Sequence, residues 1–116
     1  MGATIEGCDF SGATTKLRGA WMMLIKTFKD TNFNGADLSG ANLMNSILQQ
    51  NVNFNGASLR EALVGETDLR GGTFEGTILT GALYSASTQL PFSEEEAKAR
   101  GMRVRDVTDL HDLLHQ

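Results

Sequence analysis

A chain of 116 residues and 12.5 kDa is one domain, and its 10 basic against 14 acidic residues leave a net charge of −4 with no basic footprint for nucleic acid. No apolar run reaches the ~18 residues of a membrane span, and Met1-Gly2-Ala3-Thr4 lacks a charged and apolar leader, so a cytoplasmic location is expected. The lone cysteine, Cys8, excludes an intrachain disulfide and reads as a small buried residue rather than a reactive thiol.

From the N-terminus onward, apolar residues recur near every fifth position: Ile5, Phe10, Leu17, Met22, Phe28, Phe33, Leu38, Leu43, Leu48, Phe54, Leu59, Val64, Leu69, Phe74, Leu79 and Tyr84. Of the 15 steps between these 16 centres, 12 are five residues long. The residue two before each centre is small in 14 of 16 cases, Lys26 and Val52 excepted, and the residue two after is Gly in nine. A large and a small residue at period two point to one side of an extended segment. Glycine at a fixed later position supplies the φ > 0 that a type II turn needs. Each segment therefore runs extended, turns a corner and repeats.

A longer period closes the path. Phe10, Phe33, Phe54 and Phe74 are 23, 21 and 20 residues apart, and Leu17, Leu38, Leu59 and Leu79 follow each of them five to seven residues later. Repeats of this length define a solenoid before any local propensity is weighed. Dealt into four columns, the centres form one all-Phe and one all-Leu column, which requires every fourth segment to stack on the first. The spacing predicts an all-β solenoid of about four coils with those eight residues as core ladders. The three irregular steps, two extra residues before Leu17 and one each before Phe28 and Phe54, become corner insertions, and Gly71-Gly72 reads as a further corner. Asn32-Phe33-Asn34 and Asn53-Phe54-Asn55 set outward asparagines one above another, where stacked side-chain ladders are expected.

Ala36-Asp37-Leu38-Ser39-Gly40 and Ala41-Asn42-Leu43-Met44-Asn45 resemble the A(D/N)Lxx unit of pentapeptide-repeat proteins. The resemblance spans residues 3 to 86 and implies that family's fold, a right-handed quadrilateral β-helix, in agreement with the four columns. Some members imitate duplex DNA in shape and charge, bind type II topoisomerases and protect them from quinolones. This chain departs from that group. It is short, its acids are interleaved with bases over several faces, and its tail reads as a helical cap rather than a dimer interface.

Residues 1–91 are expected to form the repeat body and 92–116 a C-terminal α-helical cap of the same domain. Ser93-Glu94-Glu95-Glu96 is a capping box, Phe92 is placed to staple onto Ala97, and Gly101 ends the helix. Val107-Thr108-Asp109 starts a second short helix with Leu110, Leu113 and Leu114 on one stripe. The N-terminal coil, with Ile5, Phe10, Leu17 and Met22, has no such cover. A second subunit is one candidate to supply it.

No catalytic constellation is found, and no enzyme activity, cofactor or metal is expected. His111-Asp112-Leu113-Leu114-His115 places two imidazoles on one helix face but lacks the glutamate base and a third ligand of HExxH sites. The carboxylates are scattered and the glycines fall at turns rather than in a phosphate loop. The outward positions differ sharply between columns. The Phe column presents only polar residues, whereas the fourth presents Trp21, Met23, Met44, Leu63 and Leu83, with Leu24 and Ile25 at the adjoining corner. A soluble monomer rarely leaves such a patch bare. The expected function is a protein-binding or scaffold module acting through a β-helix face or end, and a DNA-mimic binder of type II topoisomerase is the alternative. The apolar face is to be covered by the chain's own tail, by a second copy through this face or the open N-terminal coil, or by another protein. Neither nucleic acid nor membrane is an expected partner.

Overall fold

The computed structural model describes residues 3–12 and 16–104. Its elements are β1 (Ala3–Glu6), β2 (Ile25–Asn32), β3 (Leu48–Asn53), β4 (Gly72–Thr73), β5 (Leu83–Tyr84), α1 (Glu94–Ala99) and β6 (Arg103–Val104). The first four strands pair in parallel in chain order, as they must when each coil lies directly on the one before. The other sides of the coil are made of shorter parallel rungs, Lys16 with Asp37, Ser58 and Ile78, and Trp21 with Asn42, Leu63 and Leu83. We number the sides by their centres: Ile5 begins the first face, Phe10 the second, Leu17 the third and Met22 the fourth.

Inside, the sixteen centres share one core. Those of coils two to four are buried, and Ile5, Phe10, Leu17 and Met22 of the first coil are half-buried against them. The phenylalanine rings stack nearly parallel, with centroids 5.1 Å apart for Phe10–Phe33, 4.9 Å for Phe33–Phe54 and 5.3 Å for Phe54–Phe74. The small position two before each centre does more than leave room. Ser46, Thr67 and Thr88 donate their hydroxyls to the carbonyls of Met22, Leu43 and Val64 at 2.7–2.8 Å, and Thr77 does the same to Phe54. Backbone acceptors at the corner are thereby satisfied inside the protein, which the low-dielectric interior demands.

The residue just before each centre has a second job. Asp9, Asn32, Asp37, Asn42, Asn53 and Asp68 each accept, through Oδ1, the backbone N–H two positions on, at 2.8–3.1 Å. This side-chain turn is why Asp or Asn recurs there. It also corrects the expected asparagine ladders. Asn32 and Asn53 spend their carbonyls on their own turns, and contact between rungs runs from the Glu75 N–H to Asn55 Oδ1 instead.

Corner residues adopt the left-handed conformation, at Gly35, Gly40 and Gly56 among others, and also at Leu24, Asp30, Asn45, Asn51, Glu61 and Glu66. Gly71 is an exception: its φ is not positive, so it is not the turn glycine expected from the repeat. The insertion before Phe28 is a bulge at Lys26, which lies exposed while Ile25 takes the interior place. The insertion before Phe54 bulges β3 at Gln49, and Asn51 Nδ2 donates to Asp30 Oδ1 between the stacked strands β3 and β2. The insertion before Leu17 lies outside the described residues.

The coil does not stop at Tyr84. Gln89 pairs with Asp68 on the first face, and Phe92 meets Phe74 edge-on at 6.2 Å below the ring stack. Helix α1 follows, with Ser93 Oγ accepting the Glu96 N–H and Ala97 buried in the core cluster. Arg100 lies over the Phe92 ring, pairs with Glu96 and donates to the Phe74 carbonyl at 2.7 Å. Met102 is buried, and β6 then pairs with β5 on the fourth face. The strands on either side of residues 91 and 92 thus belong to one path, with α1 standing where the third side of a fifth coil would run. The second helix expected in the tail lies outside the described residues.

Candidate functional site

The fourth face is built from the rungs Trp21, Asn42, Leu63, Leu83 and Arg103, successive neighbours in a parallel ladder. Because side chains alternate across an extended segment, these residues face outward while Met22, Leu43, Val64 and Tyr84 fill the core. Trp21 is 71% exposed and Leu24 55% exposed; Met23, Leu63 and Leu83 are half-buried. Val104 is 50% exposed but pairs with Tyr84, so it stands on the core side of the last rung and not on the outward face.

One residue assigned to this face sits elsewhere. Ile25 is only 6% exposed and belongs to the core, since the bulge at Lys26 turns it inward. Met44 is 4% exposed. On this face the residue after the centre is covered at Met44, Gly65 and Ser85, whereas Asn34, Glu75, Arg18 and Arg60 in the same position on other faces are exposed. Asn42 is buried too, and its Nδ2 has no acceptor among the described residues. An orphaned buried donor costs about 1–3 kcal/mol.

Leu24 holds φ at 60°. A left-handed non-glycine residue costs about 1–2 kcal/mol, and such strain concentrates where the side chain serves a purpose. Leu24→Gly is therefore expected to stabilise the protein by about 1 kcal/mol. Thermal melting checks this, and a lower melting temperature would mean that the Leu24 side chain is packed for stability.

Charges are arranged differently. Hydrogen bonds from the Ser39 hydroxyl and then its backbone N–H hold Asp37 below the usual carboxylate range, and those of Ser11 do the same for Asp9. Asp68 is lowered first by the Arg70 side chain, a contact of 2.9 Å. These carboxylates sit on the third, second and first faces, each engaged in its own turn, and form no stripe. Burial, followed by the nearby Glu94 charge, raises the Tyr84 hydroxyl. Among the described residues no group of three or more His, Cys, Asp or Glu is placed to hold a metal ion, and no helix is long and apolar enough to cross a membrane. His111 and His115 lie outside the described residues.

An open groove of about 890 Å³ runs along the corner between the third and fourth faces. Leu63, Leu83 and Met102 contribute its apolar part and Arg60, Glu61 and Arg103 its charged part.

The pentapeptide-repeats family model matches residues 27–50 and 50–83, with eight copies. Among solved structures, alr5209, a pentapeptide repeat protein from Nostoc Pcc 7120, aligns with a TM-score of 0.57 at 23% identity, covering 84% of each chain. AT2G44920, a pentapeptide repeat protein from the Arabidopsis thaliana thylakoid lumen, aligns at 24% identity over 85% of this chain and 74% of that one, with a TM-score of 0.32. QnrB1, a plasmid-mediated fluoroquinolone resistance protein, is 10% identical over 100% of this chain and 98% of its own, with a TM-score of 0.30. No curated protein matches significantly. At 23% identity the likeness to alr5209 speaks to fold alone. With the repeat unit, the four-sided stacking and the family match in agreement, the chain belongs to the pentapeptide-repeat family and folds as its right-handed β-helix.

Proposed function

We propose that this chain is a non-enzymatic scaffold that binds a protein partner through its fourth face. One observation carries the reading: Trp21 and Leu24 stand exposed on the side of the coil whose outward rungs include Trp21, Leu63 and Leu83. Exposed aromatic and aliphatic side chains on a rigid ladder are what the core of an interface is made from, and a Trp is a frequent hot spot. The repeat body to residue 91 supplies the surface, and the segment from Phe92 closes the last coil within the same domain.

The test uses full-length protein carrying a photo-crosslinker at Met23, with identification of the captured protein and titration against that protein in purified form. Trp21→Glu with Leu63→Glu is expected to abolish binding, whereas Asn34→Glu on the polar second face leaves it intact. Equal loss from both would remove the fourth face from the function. If the captured molecule is a second copy, mass in solution will rise with concentration. The rival, a DNA-mimic binder of type II topoisomerase, draws less support because Asp9, Asp37 and Asp68 lie on three different faces. A supercoiling assay in which this chain protects or inhibits such an enzyme would favour that rival.

A further inference from the structure

The groove between the third and fourth faces crosses four rungs, from Gly40 on the second to Gly101 and Arg103 on the fifth. Arg60 lines it on the third rung and Arg103 on the fifth, with Leu63, Leu83 and Glu61 also in its wall. The three charged side chains are exposed, and none makes an ion pair or a side-chain hydrogen bond among the described residues. We propose that this groove takes an acidic amphipathic helix of a protein partner, held by carboxylates on Arg60 and Arg103 and by apolar side chains on Leu63 and Leu83. The inference rests on the partner reading of the fourth face and names the kind of segment that binds there.

Three observations select this occupant. The first is the backbone. The Gly40 N–H donates to Arg60 O at 2.8 Å, the Glu61 N–H to Thr80 O at 3.0 Å and the Gly81 N–H to Gly101 O at 2.8 Å. The rungs of this corner are thus paired to one another along the axis, and an extended peptide laid across them has no sheet edge to join. A helix satisfies its own backbone and binds through side chains alone. The second is charge and its spacing. Two guanidiniums against one carboxylate make the groove positive on a chain of net charge −4, so it favours acidic segments. Arg60 and Arg103 stand two rungs apart, ~9.6 Å along the axis. Positions i and i+7 of a helix share a face ~10.5 Å apart, with i+3 and i+4 between them. Carboxylates at the outer pair and apolar residues at the inner pair match guanidinium, leucines and guanidinium in order. The third is Glu61. The same corner position is glycine in the first, second and fourth coils, Gly19, Gly40 and Gly81, whereas Glu61 holds a left-handed φ of 61°. Its Cγ lies 3.1 Å from where a Cβ on Gly81 would stand, so that glycine leaves the side chain its place along the groove. Strain of this kind concentrates at functional sites.

Glu61 repels an acid brought to the middle of the groove and leaves the two arginines as the points of contact, which fixes the register of the helix. Both ion pairs lie at the surface, so they select the partner more than they tighten it, and added salt weakens them.

The probe is a fluorescein-labelled helical peptide of about three turns, with glutamate at the i and i+7 places of one face and leucine at i+3 and i+4. It is titrated by anisotropy against the full chain, beside a counterpart with lysine in place of both glutamates. The acidic peptide is expected to bind about tenfold more tightly than the basic one, and the preference should shrink at high salt. Arg60→Glu/Arg103→Glu should reverse the preference with an unchanged far-ultraviolet spectrum. Lys16→Glu/Lys26→Glu makes the same change in net charge away from the groove and should leave the preference in place. No binding of the acidic peptide, no preference, or a preference that survives the arginine variant or falls equally with the lysine one overturns the proposal. A solution mass that rises with concentration through the same two arginines also overturns it, in favour of a second copy. The captured partner separates the two readings. If Trp21→Glu/Leu63→Glu releases it and Arg60→Glu/Arg103→Glu does not, the fourth face stands and the acidic helix falls; if neither releases it, the face itself falls.

Discussion

Phe54→Ala is expected to cost about 3–5 kcal/mol, the penalty for truncating a large buried side chain. Phe54 is fully buried with Phe33 at 4.9 Å on one side and Phe74 at 5.3 Å on the other. The rung spacing is set by backbone hydrogen bonds above and below, Phe33 N–H to Asn53 O and Phe54 N–H to Thr73 O. The neighbouring rings therefore cannot close the gap without breaking the ladder, and the cavity stays. Asn55→Ala, on the outside of the same segment, removes the acceptor for the Glu75 N–H and should cost about 1 kcal/mol. Denaturant melts of the two variants check the contrast, and equal losses would contradict a ring stack as the source of stability.

Gly71→Ala is expected to be nearly as damaging, at about 3 kcal/mol, the upper part of the range for overpacking. A Cβ at Gly71 would lie 2.2 Å from the Leu48 carbonyl oxygen and 2.5 Å from the carbonyl carbon of Gln49. Both are backbone atoms of the β3 bulge and cannot swing aside. The same clash would disturb the Gly71 N–H bond to Leu48 O and the Val52 N–H bond to Gly71 O. Gly76 gives the control: it is left-handed at φ 68°, yet an added Cβ there meets nothing closer than 3.9 Å. Its replacement by Ala should cost about 1–2 kcal/mol through backbone strain alone. If Gly71→Ala proves no worse than Gly76→Ala, close approach is not what requires glycine at 71.

Gly71 also shows where sequence reading stops. A glycine two after Leu69 fits the repeat, and the pattern assigns it a turn, but its reason is a neighbour 22 residues earlier whose bulge the pattern does not describe. The regular part was legible because every centre answers to the same spacing, so Phe10, Phe33, Phe54 and Phe74 identify one another. Ile25 was misplaced for a local reason: an inserted Lys26 shifts the inside–outside alternation by one residue. Nothing in five-residue periodicity announces that Arg103 and Val104 return to the ladder after a helix. The apolar character of the fourth face was nonetheless readable from Trp21, Leu63 and Leu83, because exposure on a regular coil follows from position alone.

The stacking of one coil on the next fixes how this protein folds and opens. Its cross-rung hydrogen bonds join residues 19 to 24 positions apart. Each added coil therefore closes a loop of nearly the same length at nearly the same entropic cost. Among the described residues no hydrogen bond joins the two ends of the chain, so nucleation can begin in the well-buried middle coils and spread outward. Amide hydrogen exchange should follow that order in reverse. Leu43, Phe54 and Val64 N–H groups should exchange only with the deepest opening, and those of Phe10 and Met22, whose coil has a neighbour on one side, should exchange first.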